Sequence, residues 1–198
     1  MTVVRPLLAS PVVAEKWDEP SALQEFSVRG LAGHLVRAAL TVEMYLDTEN
    51  EAAGEPISPA AYFLNYKGDI SSQLNTGVRQ RGEEAARGGH GHVVELFDGL
   101  IHRLGERLER EPAERIVALP NARMQLDQYL VTRLVELVIH ADDLAVSVGL
   151  DTPTFSTEAM DVVIGCMLDI ARLRQGDLSI IRALSRRERD PGEALRVF

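Results

Sequence analysis

Four long stretches of this chain repeat their apolar residues every three and four positions, a period that only an α-helix can turn into one continuous face. The first follows Ser27, a residue suited to cap a helix, and runs through Leu31, Leu35, Ala38, Val42 and Tyr45. A second starts near His92, carries Val93, Leu96, Phe97, Leu100, Leu104 and Leu108, and stops before Pro112. The third carries Leu126, Leu130, Leu134, Leu137, Val138 and Leu144 and stops at Gly149; the fourth follows Ser156 or Thr157 and carries Met160, Val163, Ile164, Met167, Leu168 and Ala171 before Gly176. The spacing predicts helices near 27–48, 92–110, 123–148 and 157–175, and no segment reads as a strand. Four such stripes predict an all-α protein, an up-and-down four-helix bundle with short additional helices. Those are expected before Trp17 and between Pro59 and Arg87, where Tyr62, Tyr66, Ile70 and Leu74 keep a period of four.

At 198 residues the chain suits one core. The bundle is expected over residues 1–178, with a short C-terminal arm over 179–198 packed against it. In that arm Asp190, Pro191 and Glu193 read as a cap, a first-turn proline and a capping-box carboxylate, so that ALRVF docks Leu195 and Phe198 on the body. The preceding RALSRRERD is read as a solvated stretch, and GGHGH at 88–92 as a tight connection.

Composition removes several functions. There are 30 acidic residues against 21 Lys and Arg, a formal charge of −9, so nucleic acid and anionic membranes are poor partners. No apolar run is long enough to cross a bilayer and no cleavable leader is evident, which places the expectation in the cytoplasm. One cysteine, Cys166, permits neither an internal disulfide nor a zinc ribbon; set among Ile164, Met167 and Leu168 it reads as a core thiol. Any metal must then be held by histidines and carboxylates.

Glu136 and His140 stand four apart in the third helix, so their side chains rise from the same face, and they sit among Leu134, Leu137 and Val138, which are core positions by pattern. His34 lies between Leu31 and Leu35 in the first helix. A glutamate on an apolar face is costly unless paired or coordinated, and two helices offering His34, Glu136 and His140 can build a three-ligand site with an open position. The same spacing also occurs in exposed ion pairs, so pattern leaves both readings open. Asp143, three residues after His140, is a candidate to orient a ligand or move a proton, or an ordinary polar residue. His92, with His90, is a candidate to reach a metal or substrate, or part of a solvated turn; His102 reads as exposed.

The segments FSVRGLAGHL and ELVIHADDLA then resemble the motifs W-(T/S)-V-x-D-L-x-x-H-L and E-x-x-x-H-x-x-D-L of the mycothiol-dependent maleylpyruvate isomerase family, within the DinB-like metal-binding bundles. Phe26 stands where that family has tryptophan, and Gly30 where it has aspartate. The resemblance implies a DinB-like fold and a divalent metal, zinc or nickel, held by His34, Glu136 and His140. It also implies mycothiol as a cosubstrate, and a thiol-dependent isomerase or S-transferase acting on a small electrophile, with Asp143 or His92 moving a proton. The alternative is a non-catalytic metal-binding structural or regulatory protein. A homodimer is compatible with either.

Overall fold

The computed structural model describes residues 2–48, 54–64, 72–120, 122–188 and 191–197. After a 3₁₀ turn at Thr2–Val4 come α1 (Arg5–Leu8), α2 (Pro11–Glu15), α3 (Val28–Asp47), α4 (Pro59–Phe63), α5 (Gln73–Ala85) and α6 (Gly89–Leu108). A hairpin of β1 (Ile116–Leu119) and β2 (Ala122–Gln125) leads into α7 (Leu126–Val148), then α8 (Thr157–Gln175), α9 (Asp177–Ser185) and α10 (Gly192–Leu195). Among the described residues the protein is all-α apart from this hairpin, as expected.

Local chemistry sets the helix ends. Ser27 accepts from the Gly30 amide at the start of α3, and Ser156 accepts from the Ala159 amide at the start of α8. Gly149 closes α7 at φ 75°, a left-handed conformation that costs glycine nothing.

Helix α3 is the hub, with α5, α6 and α7 each packed against it. Its stripe of Leu31, Leu35, Ala38 and Val42 is buried and meets Val93, Phe97, Leu100 and Leu104 of α6 and Tyr129, Leu137, Ala141 and Leu144 of α7. The approach of α5 is the closest: a Cβ placed on Gly33 stands 2.1 Å from the Gly82 carbonyl oxygen, and one on Gly82 stands 2.5 Å from that of Gly30. Only hydrogen fits at these positions. Helix α7 also has a second apolar side, where Val135 joins Phe63, Val163, Cys166 and Ile170 in a separate core with α4 and α8.

Five expectations are corrected. The GGHGH stretch is not a connection but opens α6, which begins at Gly89. The absence of strands fails at the hairpin, which pairs Leu119 with Ala122 and Ile116 with Gln125; four-residue runs are too short to show a period of two. Consequently the third long helix starts at Leu126 rather than Arg123, since Arg123 pairs with Ala118 in the hairpin, whose Val117 and Met124 are buried in the main core. Ile164 lies off the buried stripe of α8 and is 50% exposed, because the apolar seam there follows Val163, Cys166 and Ile170. In the arm, Ala194 and Val197 make the buried contacts and Leu195 faces outward; Phe198 and Asp190 lie outside the described residues, as do Tyr66 and Ile70. No helix among the described residues is long and apolar enough to cross a membrane.

Candidate metal centre

Helices α3 and α7 run antiparallel, so residues numbered upward on one meet residues numbered downward on the other. At one level His34 Nε2 lies 3.2 Å from Glu136 Oε2; two turns along, the Tyr129 hydroxyl donates to Thr41 Oγ1 at 3.0 Å. One turn beyond Glu136, His140 Nε2 also lies 3.2 Å from Glu136 Oε2, and the two imidazole rings meet edge to face with centroids 4.6 Å apart. The three side chains are 16% exposed each, and their ligand-capable atoms all lie within 4.8 Å of one another. The long-range pairing of His34 with the Glu136 and His140 face is what the sequence could not guarantee and the antiparallel packing supplies.

This donor set fits a divalent cation. Ligands set tetrahedrally at the zinc–nitrogen and zinc–oxygen distances of about 2.0–2.1 Å stand about 3.3 Å apart. Both histidine-to-glutamate separations match that edge. Two nitrogens and one carboxylate oxygen also leave a coordination position for another ligand. Asp143 supplies the outer support: its Oδ2 lies 2.9 Å from His140 Nδ1, which fixes the ring and leaves the Nε2 lone pair facing the cluster. His34 lacks such a partner, since its buried Nδ1 makes no hydrogen bond among the described residues.

The electrostatics agree. Burial opposes charge on Glu136, yet hydrogen bonds from His140 and His34, with the positive charges of His140 and Arg133, outweigh it and hold the carboxyl well below its usual range. Burial opposes charge on His140 as well; the hydrogen bonds and charges of Asp143 and Glu136 overcome it and push the imidazole up to about 9. His34 moves the other way, because burial exceeds the help it receives from Glu136. The cluster thus stabilises one positive charge, for which a proton and a divalent cation compete.

Of the sequence candidates, Asp143 joins the triad and His92 does not: His92 lies exposed in the first turn of α6, its ring covering Gly88. His90 bonds the Leu8 carbonyl oxygen at 2.8 Å and meets Trp17 edge-on, and His102 is exposed beside Glu106. Cys166 is buried, and burial pushes its thiol up to about 11, away from nucleophilic use. Phe26 tilts against the His34 ring with centroids 5.9 Å apart, and beyond it opens a cleft of about 580 Å³ lined by Trp17, Phe26, Arg29, Arg79 and Glu83. Glu25 on its rim is held at φ 63° and pairs with Arg79 at 3.0 Å, a strained backbone position for a residue with a side chain.

One neighbour escaped the sequence reading. Arg133 is 8% exposed, three residues before Glu136 on the same face of α7, and its charge acts on both Glu136 and His34. Its position at i−3 from Glu136 and i−7 from His140 was the available signal.

Compared with known families, residues 5–145 match the family model described as the mycothiol maleylpyruvate isomerase N-terminal domain. The match covers α1 through most of α7, including all three triad residues and Asp143, and leaves α8 to α10 outside. Neither curated proteins nor solved structures give a match.

Proposed function

The chain belongs to the mycothiol maleylpyruvate isomerase N-terminal domain family, and from that premise we propose that it is a metal-dependent enzyme using a low-molecular-weight thiol. It acts as an isomerase or S-transferase on a small electrophilic substrate. The observation that carries this reading is the convergence of His34, Glu136 and His140 at ligand-like separations of 3.2 Å, with Asp143 holding the outer nitrogen of His140. Zinc suits this nitrogen and carboxylate set, and nickel is a second fit. When bound, the cation supplies Lewis acidity and favours the thiolate over the thiol.

The chain's own residues provide the rest. His34 and His140 offer Nε2 and Glu136 offers Oε2, while the hydrogen bond to Asp143 keeps His140 in the tautomer that can donate its lone pair. A second oxygen of Asp143 takes no hydrogen bond among the described residues, and the side chain is 27% exposed, so it is placed to receive a proton from an arriving thiol. Phe26 gives His34 an apolar wall, and the cleft beyond it has the size of a small-molecule site, with the Arg29–Glu83 ion pair and Arg79 offering polar groups to the hydroxyls and amides of a thiol cosubstrate.

Two measurements test the proposal. Metal analysis of purified protein is expected to give about one divalent ion per chain, lost in His140→Ala. Calorimetry of the zinc-loaded protein with mycothiol, glutathione and bacillithiol is expected to show saturable binding of one thiol that disappears in His34→Ala. Metal that is bound with no thiol recognised would transfer the reading to a non-catalytic metal-binding protein.

A further inference from the structure

The apolar side chains left outside the core are unevenly placed. Among the described residues eleven large ones are exposed, and nine of them lie after residue 145; Met44 and Leu74 are the exceptions. Single exposed apolar residues are ordinary, whereas a row of them on one helix is not. Helix α9 carries such a row. On its inner side Ile180 is 6% exposed and joins the second core with Ala183. Leu178, Ile181 and Leu184 follow one another at intervals of three, which spreads them over an arc of about 120°, and they are 57–65% exposed. A helix that is apolar on two sides belongs between two neighbours.

We propose that this outer face of α9 is where two copies of the chain meet, α9 packed antiparallel on α9 across a two-fold axis that passes beside Ile181. The contact does not depend on the proposed reaction, because α9 belongs to the second core, which α7 separates from α3 and His34.

Charge selects both the orientation and the occupant. Helix α9 begins at Asp177, whose Oδ1 accepts from Arg172 while its Oδ2 takes no hydrogen bond among the described residues. At its other end stand Arg182, Arg186 and Arg187, all exposed and none in an ion pair among the described residues. An antiparallel pair sets each acidic start against the basic end of the other copy and opposes the two helix dipoles, whereas a parallel pair sets like charge on like. The face thus complements itself, as a two-fold contact requires. A partner of one sign would leave one end of α9 against like charge. The area fits as well. With Leu173 in the last turn of α8 and Leu195 on α10, which packs against α9, the row exposes apolar surface on the order of 500 Å², close to the apolar share of the roughly 800 Å² that each partner buries in a standard interface.

The test is sedimentation equilibrium of the full chain from about 1 to 100 µM, a range that brackets a micromolar dissociation constant. Wild type is expected to reach twice the monomer mass and no more. Ile181→Glu is expected to weaken the dimer about 100-fold or more, as a charge at the centre of an apolar contact does, with its helical circular dichroism unchanged. Val146→Glu, at a residue of α7 that is 61% exposed and off this face, is expected to remain dimeric. Asp177→Arg and Arg186→Asp are each expected to weaken the dimer, and the double variant to recover it. Disulfide capture needs no loss of binding: a residue beside the axis meets its own copy, and Cys166, the chain's one cysteine, is buried. Ile181→Cys is therefore expected to give a covalent dimer on mild oxidation, and Val146→Cys is not. A monomeric wild type at the highest concentration overturns the proposal, as does a dimer that survives Ile181→Glu or is lost in Val146→Glu. Species larger than a dimer overturn the closed two-fold contact. Failure of the double charge variant to recover overturns the antiparallel arrangement, and failure of Ile181→Cys to cross-link overturns the position of the axis.

Discussion

Replacing Gly33 by alanine should destabilise this protein although alanine is the better helix former. Gly33 lies in the middle of α3, and its added Cβ would stand 2.1 Å from the Gly82 carbonyl oxygen on α5, against 3.4 Å for ordinary contact. The obstacle is backbone, so no rotamer relieves it and the two helices must part by roughly 1.3 Å. Overpacking of this severity costs about 3 kcal/mol, and helix propensity returns about 1 kcal/mol, for a net loss of about 2 kcal/mol. In a chain of this size that lowers the melting temperature by about 4–8 °C. Gly105 on α6 is the control: nothing lies within 4 Å of its added Cβ, so Gly105→Ala should gain about 0.5–1 kcal/mol and melt a few degrees higher. Because a Cβ placed on Gly82 would also stand only 3.3 Å from the His34 Cβ, α5 lies close against the turn that carries His34, and the parting of α5 from α3 should reach the triad and weaken metal binding in Gly33→Ala alone. Thermal melts followed by circular dichroism, with metal titrations on both variants, measure this. If Gly33→Ala melts at or above wild type, the close packing of α3 and α5 is refuted.

Asp143→Asn should lower metal affinity about 10- to 100-fold with little change in the metal-free melting temperature, as removal of an outer partner of a ligand histidine does; competition with a chromophoric chelator reads it. Glu43 and Glu111 are held below their usual pKa, chiefly by hydrogen bonds from Arg103 and Arg115 against the opposing effect of burial. Their stabilisation is therefore complete above the ordinary carboxylate value of 4.5 and lost as pH falls below it, so Glu43→Gln and Glu111→Gln should flatten the acid limb of melting temperature against pH. Tyr129→Phe removes a buried hydroxyl that donates to Thr41 and should cost about 1 kcal/mol in denaturant unfolding; an unchanged midpoint would contradict that bond.

The local signals in the sequence carried far. Ser27 and Ser156 as caps, Gly149 and Gly176 as stops, and the full span of α8 follow from residue chemistry within a few positions, where backbone hydrogen bonding is decided. Glu136, His140 and Asp143 sit within two turns of one helix, so their shared face was also legible. His34 was assigned to them through the motifs, since spacing cannot say which helices become neighbours. Tertiary structure decided everything that depends on such neighbours. It chose α3 as the hub, because Gly30, Gly33 and Gly82 let two backbones touch, and glycines in a sequence do not announce what approaches them. It turned Ile164 outward, since one residue of phase on a helix separates the seam from the solvent. It also buried Ile180 of α9 and left Leu178, Ile181 and Leu184 outside, a division between apolar neighbours that no local pattern reveals. Short-range hydrogen bonding and periodicity are written along the chain, whereas long-range adjacency follows from how all the apolar faces are buried at once.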